Sequence, residues 1–126
     1  MFEISQRFFF DAAHTLRREI EAEGSRRTHG HTYHAEVFVR GEPQGSSGMV
    51  QDLGFIRREI ADVRAQLDHH FLDDIEGLGP ATLENLCLFI WNKLAPRIDG
   101  LSGITVERGS LGDKCVYRPE PAPKKP

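Results

Sequence analysis

The chain has 126 residues, 39% apolar and 28% charged, with a formal net charge of −3, the balance of a single ordinary soluble domain. Slight acidity gives no general reason to expect nucleic acid or an anionic membrane as a partner, and no apolar run approaches the roughly 20 residues of a membrane span. With no basic stretch leading into a long apolar one at the start, and two cysteines, too few for a disulfide framework, a cytoplasmic protein is expected.

Phe2, Ile4, Phe8, Phe10, Ala12 and His14 share one parity, broken on that face by Gln6, which predicts a strand over "FEISQRFFFDAAH". Residues 15–28 lose this periodicity and carry dense mixed charge, which predicts a loop. From His29 the alternation returns. His31, Tyr33, Ala35, Val37 and Val39 share its face, while Thr32, His34, Glu36 and Arg40 take the other, so a second strand is expected with His34 exposed. After the turn-rich "GEPQGSSG", Asp52 is placed to cap a helix whose Leu53, Ile56, Ile60, Val63 and Leu67 recur at steps of three and four. Thr82 is placed to cap a second helix, with a stripe of Leu83, Leu86, Cys87, Ile90 and Leu94, a surface widened by Phe89 and Trp91, and a stop near Pro96. "ITVERG" and "KCVYR" then predict two strands around the turn "SLGD". The expectation is one α+β domain over residues 1–118, ββααββ, with two helices on one face of a four-stranded antiparallel sheet. Residues 119–126 are expected to lack structure, and the two open sheet edges motivate assembly with further copies.

The segment "SRRTHGHTYH" places His29 and His31 two apart, so on a strand their rings project from the same face. His14 ends the preceding strand on its apolar parity, and pairing of the two strands would let the three rings converge. Three neutral imidazoles form the protein ligand set of a catalytic zinc site, with the fourth position left for water or substrate. The competing reading is a polar patch at the start of a strand, with Gly30 marking a bulge.

"LDHHFLDDI", residues 67–75, offers Asp68 and His69 as a proton-carrying base with its orienting carboxylate. Successive residues of a regular helix do not face each other, so the pair can act together only if the helix unwinds there or another group bridges them. Otherwise the histidines simply meet the negative end of the helix dipole. Glu107 is either an exposed strand residue or a carboxylate that accepts two parallel bonds from a guanidine-like edge. Cys87 and Cys115 read as small core residues.

"FDAAH" with His14, "HGH" at 29–31, "LDHHFLDDI", "ATLENL" at 81–86 with "IW" at 90–91, and "CVYR" at 115–118 occur together in an order and spacing that resembles the 6-pyruvoyl-tetrahydropterin and 6-carboxy-tetrahydropterin synthase family over about residues 2–118. The resemblance implies a tunnelling fold, in which sheets from several copies close into a barrel, as homotrimers or homohexamers with active sites between subunits. It also implies Zn2+ on His14, His29 and His31, an acid–base pair of Asp68 and His69, a pterin ring anchored by Glu107, and Thr82 in the pterin pocket. The distance from Glu107 to "CVYR" is two residues longer than the family pattern. Ser25 stands where that pattern has a cysteine that moves a proton at the substrate side chain. A hydroxyl is far less acidic than a thiol and needs a partner base. A relay from Ser25 to His69, replacement of the thiol by Glu19, Glu21 or Glu23, and an introduced Cys-to-Ser change are the accounts open for it.

The implied function is conversion of 7,8-dihydroneopterin triphosphate to 6-carboxy-5,6,7,8-tetrahydropterin in 7-deazaguanine (queuosine) synthesis. Alternatives are a 6-pyruvoyl synthase, a relative that cleaves the dihydroneopterin side chain, and a pterin-binding protein without catalysis. Arg17, Arg18, Arg26 and Arg27 could meet a triphosphate or be solvated loop charges.

Overall fold

Two thirteen-residue strands, β1 (Phe2–His14) and β2 (His29–Gly41), pair along their whole length in the computed structural model, which describes residues 1–16 and 27–119. The antiparallel register runs from Phe2 opposite Gly41 to His14 opposite His29. Alternation then sorts the side chains. Phe10, Ala12 and His14 are buried on the side of Tyr33, Ala35, Val37 and Val39, while Phe9 and His34 are exposed on the other. Most of the loop expected over 15–28, with Ser25 and Arg17, Arg18 and Arg26, and nearly all of the tail expected from 119 lie outside the described residues.

Both predicted caps form. Asp52 Oδ1 accepts the Gly54 N–H at 2.8 Å to start α1 (Leu53–Leu67), and Thr82 Oγ1 accepts the Asn85 N–H at 3.1 Å to start α2 (Leu83–Leu94). Ile56, Ile60, Val63 and Leu67 turn inward from α1, which lies against β1. The α2 helix covers β3 (Leu101–Arg108) and β4 (Asp113–Tyr117), with Trp91 edge-on to Tyr117 at 5.4 Å between centroids. Its wider apolar surface follows from burial of Phe89 as well as the stripe. The sheet order is β1-β2-β3-β4, every pair antiparallel, so the chain runs ββααββ with both helices on one face. Among the described residues no helix is long and apolar enough to cross a membrane.

β3 begins at Leu101, three residues before the expected Ile104. Ser102 and Gly103 resemble turn chemistry in the sequence, but β2 holds them through a register irregularity between Phe38 and Val39. Gly100 makes the approach possible. Its φ is +79°, its carbonyl accepts the Arg40 N–H at 2.8 Å, and a Cβ there would fall 2.4 Å from the Arg40 carbonyl oxygen. Gly100→Ala is therefore expected to destabilise the fold by about 2 kcal/mol or more, read from the urea midpoint. An unchanged midpoint would contradict this packing.

Candidate functional site

The β1–β2 register brings His14, His29 and His31 together, with ring centroids 4.5, 4.9 and 4.9 Å apart. One coordinating atom from each lies within 4.8 Å of the others. Backbone carbonyls fix two of the tautomers. His14 Nδ1–H donates to the Ala81 oxygen at 3.1 Å and His29 Nδ1–H to the Arg27 oxygen at 2.7 Å. A carbonyl can only accept, so in the neutral rings both Nε2 atoms carry bare lone pairs, and these face each other at 2.9 Å. Two lone pairs at that distance repel unless a cation lies between them. Burial lowers the pKa of His14 from 6.5, against a smaller rise from the Ala81 bond, which favours the neutral, metal-binding form of that ring. Neutral, carbonyl-oriented imidazoles are the donor set that zinc takes, so the residues fit a metal ion. Behind them the buried Tyr33 hydroxyl lies 3.4 Å from His14 Nδ1, and burial raises its pKa to about 12, which keeps it protonated.

The objection to an Asp68–His69 pair is removed by where α1 stops. Leu67 is its last residue, Asp68 is extended at φ −68° and ψ 130°, and His69 has φ +58°, a left-handed conformation rare outside glycine. This unwinding turns the imidazole back, so that Asp68 Oδ2 accepts from His69 Nδ1–H at 2.8 Å, which makes Nε2 the acceptor of the neutral ring. Asp11 of β1 holds both residues, its N–H donating to Asp68 Oδ1 at 2.9 Å and its carbonyl accepting the His69 N–H at 2.7 Å. The Asp11 N–H bond and the His69 bond hold the Asp68 carboxyl below its ordinary pKa, with Arg64 contributing from 3.3 Å. His69 and His31 border one shallow recess of about 530 Å³ with Asp11, Gly30 and Thr32.

Thr82 lines a second cavity of about 540 Å³, with Thr15, Asp73, Ala81, Glu84 and Arg108. Asp73 accepts both the N–H and the hydroxyl of Thr15. Glu107 is not brought to this cavity or to the inward His14, His29 and His31. It stands opposite His34 and Lys114 in the ladders and borders a small recess with Arg7, Phe9 and His34 on the outer face. Arg108, beside it, is a residue that motif and spacing do not single out, although the inward parity of Ile104 and Val106 marks it. Asp11 and Arg64 carry no comparable signal, since both act through contacts between separate elements. Cys87 is buried, with Sγ 3.7 Å from the Cys115 carbonyl oxygen, and burial pushes its thiol pKa up, as suits a core residue.

Comparison with known proteins gives a consistent likeness. The profile described as 6-pyruvoyl tetrahydropterin synthase matches residues 3–120. The 6-carboxy-5,6,7,8-tetrahydropterin synthase of Synechocystis sp. is 35% identical over 130 residues, 98% of each chain. The dihydroneopterin monophosphate aldolase of Pyrococcus furiosus is 34% identical over 97 residues, 77% of this chain and 78% of that one. The structure of Caenorhabditis elegans 6-pyruvoyl tetrahydropterin synthase superposes with a TM-score of 0.82 at 27% identity, covering 94% of this chain and 96% of the other.

The Asp68 carboxylate is expected to hold His69 in its Nδ1–H tautomer, and Asp68→Asn, whose amide can donate, to shift it toward Nε2–H; 15N chemical shifts of the ring read both states. An Nε2–H ring in the unmodified chain would contradict the pairing. A depressed carboxyl pKa stabilises the fold above the ordinary carboxylate range, and that contribution is lost as pH falls through the lower folded-state value. The stability gap between the chain and Asp68→Asn should therefore narrow on acidification, in denaturant melts run from pH 7 downward; a gap that widens would contradict the assigned shift.

Proposed function

The chain belongs to the 6-pyruvoyl tetrahydropterin synthase family, and on that premise we propose that it is a zinc-dependent pterin enzyme of the cytoplasm. It converts 7,8-dihydroneopterin triphosphate to 6-carboxy-5,6,7,8-tetrahydropterin with loss of triphosphate and a two-carbon fragment, a step toward 7-deazaguanines such as queuosine. The observation that carries the reading is that His31, one of the three-imidazole donor set, and the carboxylate-bonded His69 border one recess.

A zinc ion on His14, His29 and His31 would supply Lewis-acid polarisation of a ligand oxygen. The protein groups do the rest. His69 Nε2 takes a proton from the substrate side chain and returns it, while Asp68 keeps the ring in the accepting tautomer and stabilises the imidazolium that results. Thr82 lines the ring pocket. Glu107 receives the guanidine edge of the ring, and its position on the outer face, away from Thr82, favours sites completed by a second copy in a homotrimer or homohexamer. Ser25 cannot form the anion a thiol would at comparable cost, which leaves proton transfer to His69.

A second reading, cleavage of the side chain to a 6-hydroxymethyl pterin, draws support from the 34% identity to the dihydroneopterin monophosphate aldolase. A pterin-binding protein without turnover is the reading that the serine favours. Mass spectrometry of products after incubating the zinc-loaded chain with 7,8-dihydroneopterin triphosphate separates them. A 6-carboxy product is expected, lost on chelation, restored by zinc, and about 10²–10⁴-fold slower in Asp68→Asn. A hydroxymethyl product would move the chain to the second reading. Turnover that appears only in Ser25→Cys would mean an intact scaffold with a disabled proton carrier, and pterin binding without turnover in either chain would favour the binding protein.

A further inference from the structure

One buried charge has no part in this chemistry. Arg108 ends the inward row of β3 and is 6% exposed. A buried cation is costly unless its N–H groups are paired. Nη2 donates to Asp113 Oδ2 at 3.1 Å, a carboxylate whose side chain is 41% exposed, and Nε has no hydrogen-bond partner among the described residues. The same side chain walls the 540 Å³ cavity under the N-terminus of α2, a volume within the range of about 300–1,000 Å³ usual for small-molecule sites.

Charge decides the ligand class. Arg108 and the first N–H groups of α2 favour acceptors. Asp73 and Glu84 bring two negative charges to the same cavity, and Asp113 already offsets Arg108, so a phosphate or other multiply charged anion is repelled. A neutral acceptor edge gains the hydrogen bonds without that repulsion. A pterin has one in O4 and N5, arranged like O6 and N7 of guanine, the pair that arginine reads most often in nucleic acids.

We propose that Arg108 selects the O4/N5 edge of the pterin ring in the cavity beneath α2, an assignment that rests on the pterin reading given above. It leaves the guanidine-like edge to a carboxylate. It also gives a preference by oxidation state. N5 is a bare acceptor in pterin and 7,8-dihydropterin but carries a hydrogen in the tetrahydro form, so Arg108 holds the substrate ring better than the product ring.

Equilibrium binding of neopterin and of its 5-deaza analogue, in which C–H replaces N5, to the full chain tests this by calorimetry. The unmodified chain should bind neopterin about tenfold more tightly than the analogue. Arg108→Met should weaken neopterin and erase the preference, and Arg108→Lys, with charge but no planar fork, should fail to restore it in full. Equal affinity of the unmodified chain for both ligands overturns the role of Arg108 and leaves the pterin reading intact. Absence of binding to either overturns both. The ligand comparison needs no variant, so equal affinities overturn the proposal even if Arg108→Met does not fold, and Arg108→Lys then carries the attribution to the arginine.

Discussion

The antiparallel register of β1 on β2 is the constraint on which the rest depends. It sets His14 opposite His29 and Ala12 opposite His31, so the three imidazoles share the inward face. Side chains alternate with period two, so a slip of one residue would carry His29 and His31 to the other side of the sheet from His14. The same slip would expose Tyr33, which stacks on Phe10 at 5.0 Å between centroids and is fully buried. Packing of these two rings therefore holds the three-histidine geometry in place, and the polar site is fixed by an apolar contact two residues away. Removing that contact would cost several kcal/mol of core packing as well as the site.

A second constraint acts at the edge of the sheet. The end of α1 is stitched to β1 by the Asp11 backbone on Asp68 and His69, and by the Ala13 N–H on the His70 carbonyl at 3.3 Å. These bonds hold His69 in a left-handed conformation that costs an ordinary residue roughly 1–2 kcal/mol. The strain has a consequence for geometry, since this backbone turn lets two consecutive side chains meet, Asp68 Oδ2 with His69 Nδ1. Helix end, edge strand and imidazole tautomer are parts of one local arrangement, and the recess shared with His31 connects it to the three-histidine centre.

Much of this architecture is legible in the amino-acid sequence. Parity marks both long strands and their inward faces, and capping residues mark both helix starts, because each signal depends on neighbours within one element. The three histidines are legible because two lie on one strand and the third ends the preceding one. The features that stay hidden depend on contacts between elements. The early start of β3 needs the ladder irregularity opposite Phe38. The meeting of Asp68 with His69 needs the exact residue at which α1 unwinds, and boundaries are the weakest feature of a sequence reading. Glu107 and Arg108 show the reverse case. Alternation from Ile104 places Arg108 inward and Glu107 outward, but the chemistry of a carboxylate draws attention to the outward residue.

The central claim is that His14, His29 and His31 together hold a metal ion, and X-ray absorption at the zinc edge of the full chain tests it most directly. The expected result is one zinc per chain with three imidazole nitrogens at roughly 2.0–2.1 Å and a light-atom fourth ligand, and a first shell one imidazole poorer in His14→Ala. A shell containing sulfur near about 2.3 Å, or a zinc site unaltered by His14→Ala, would contradict it.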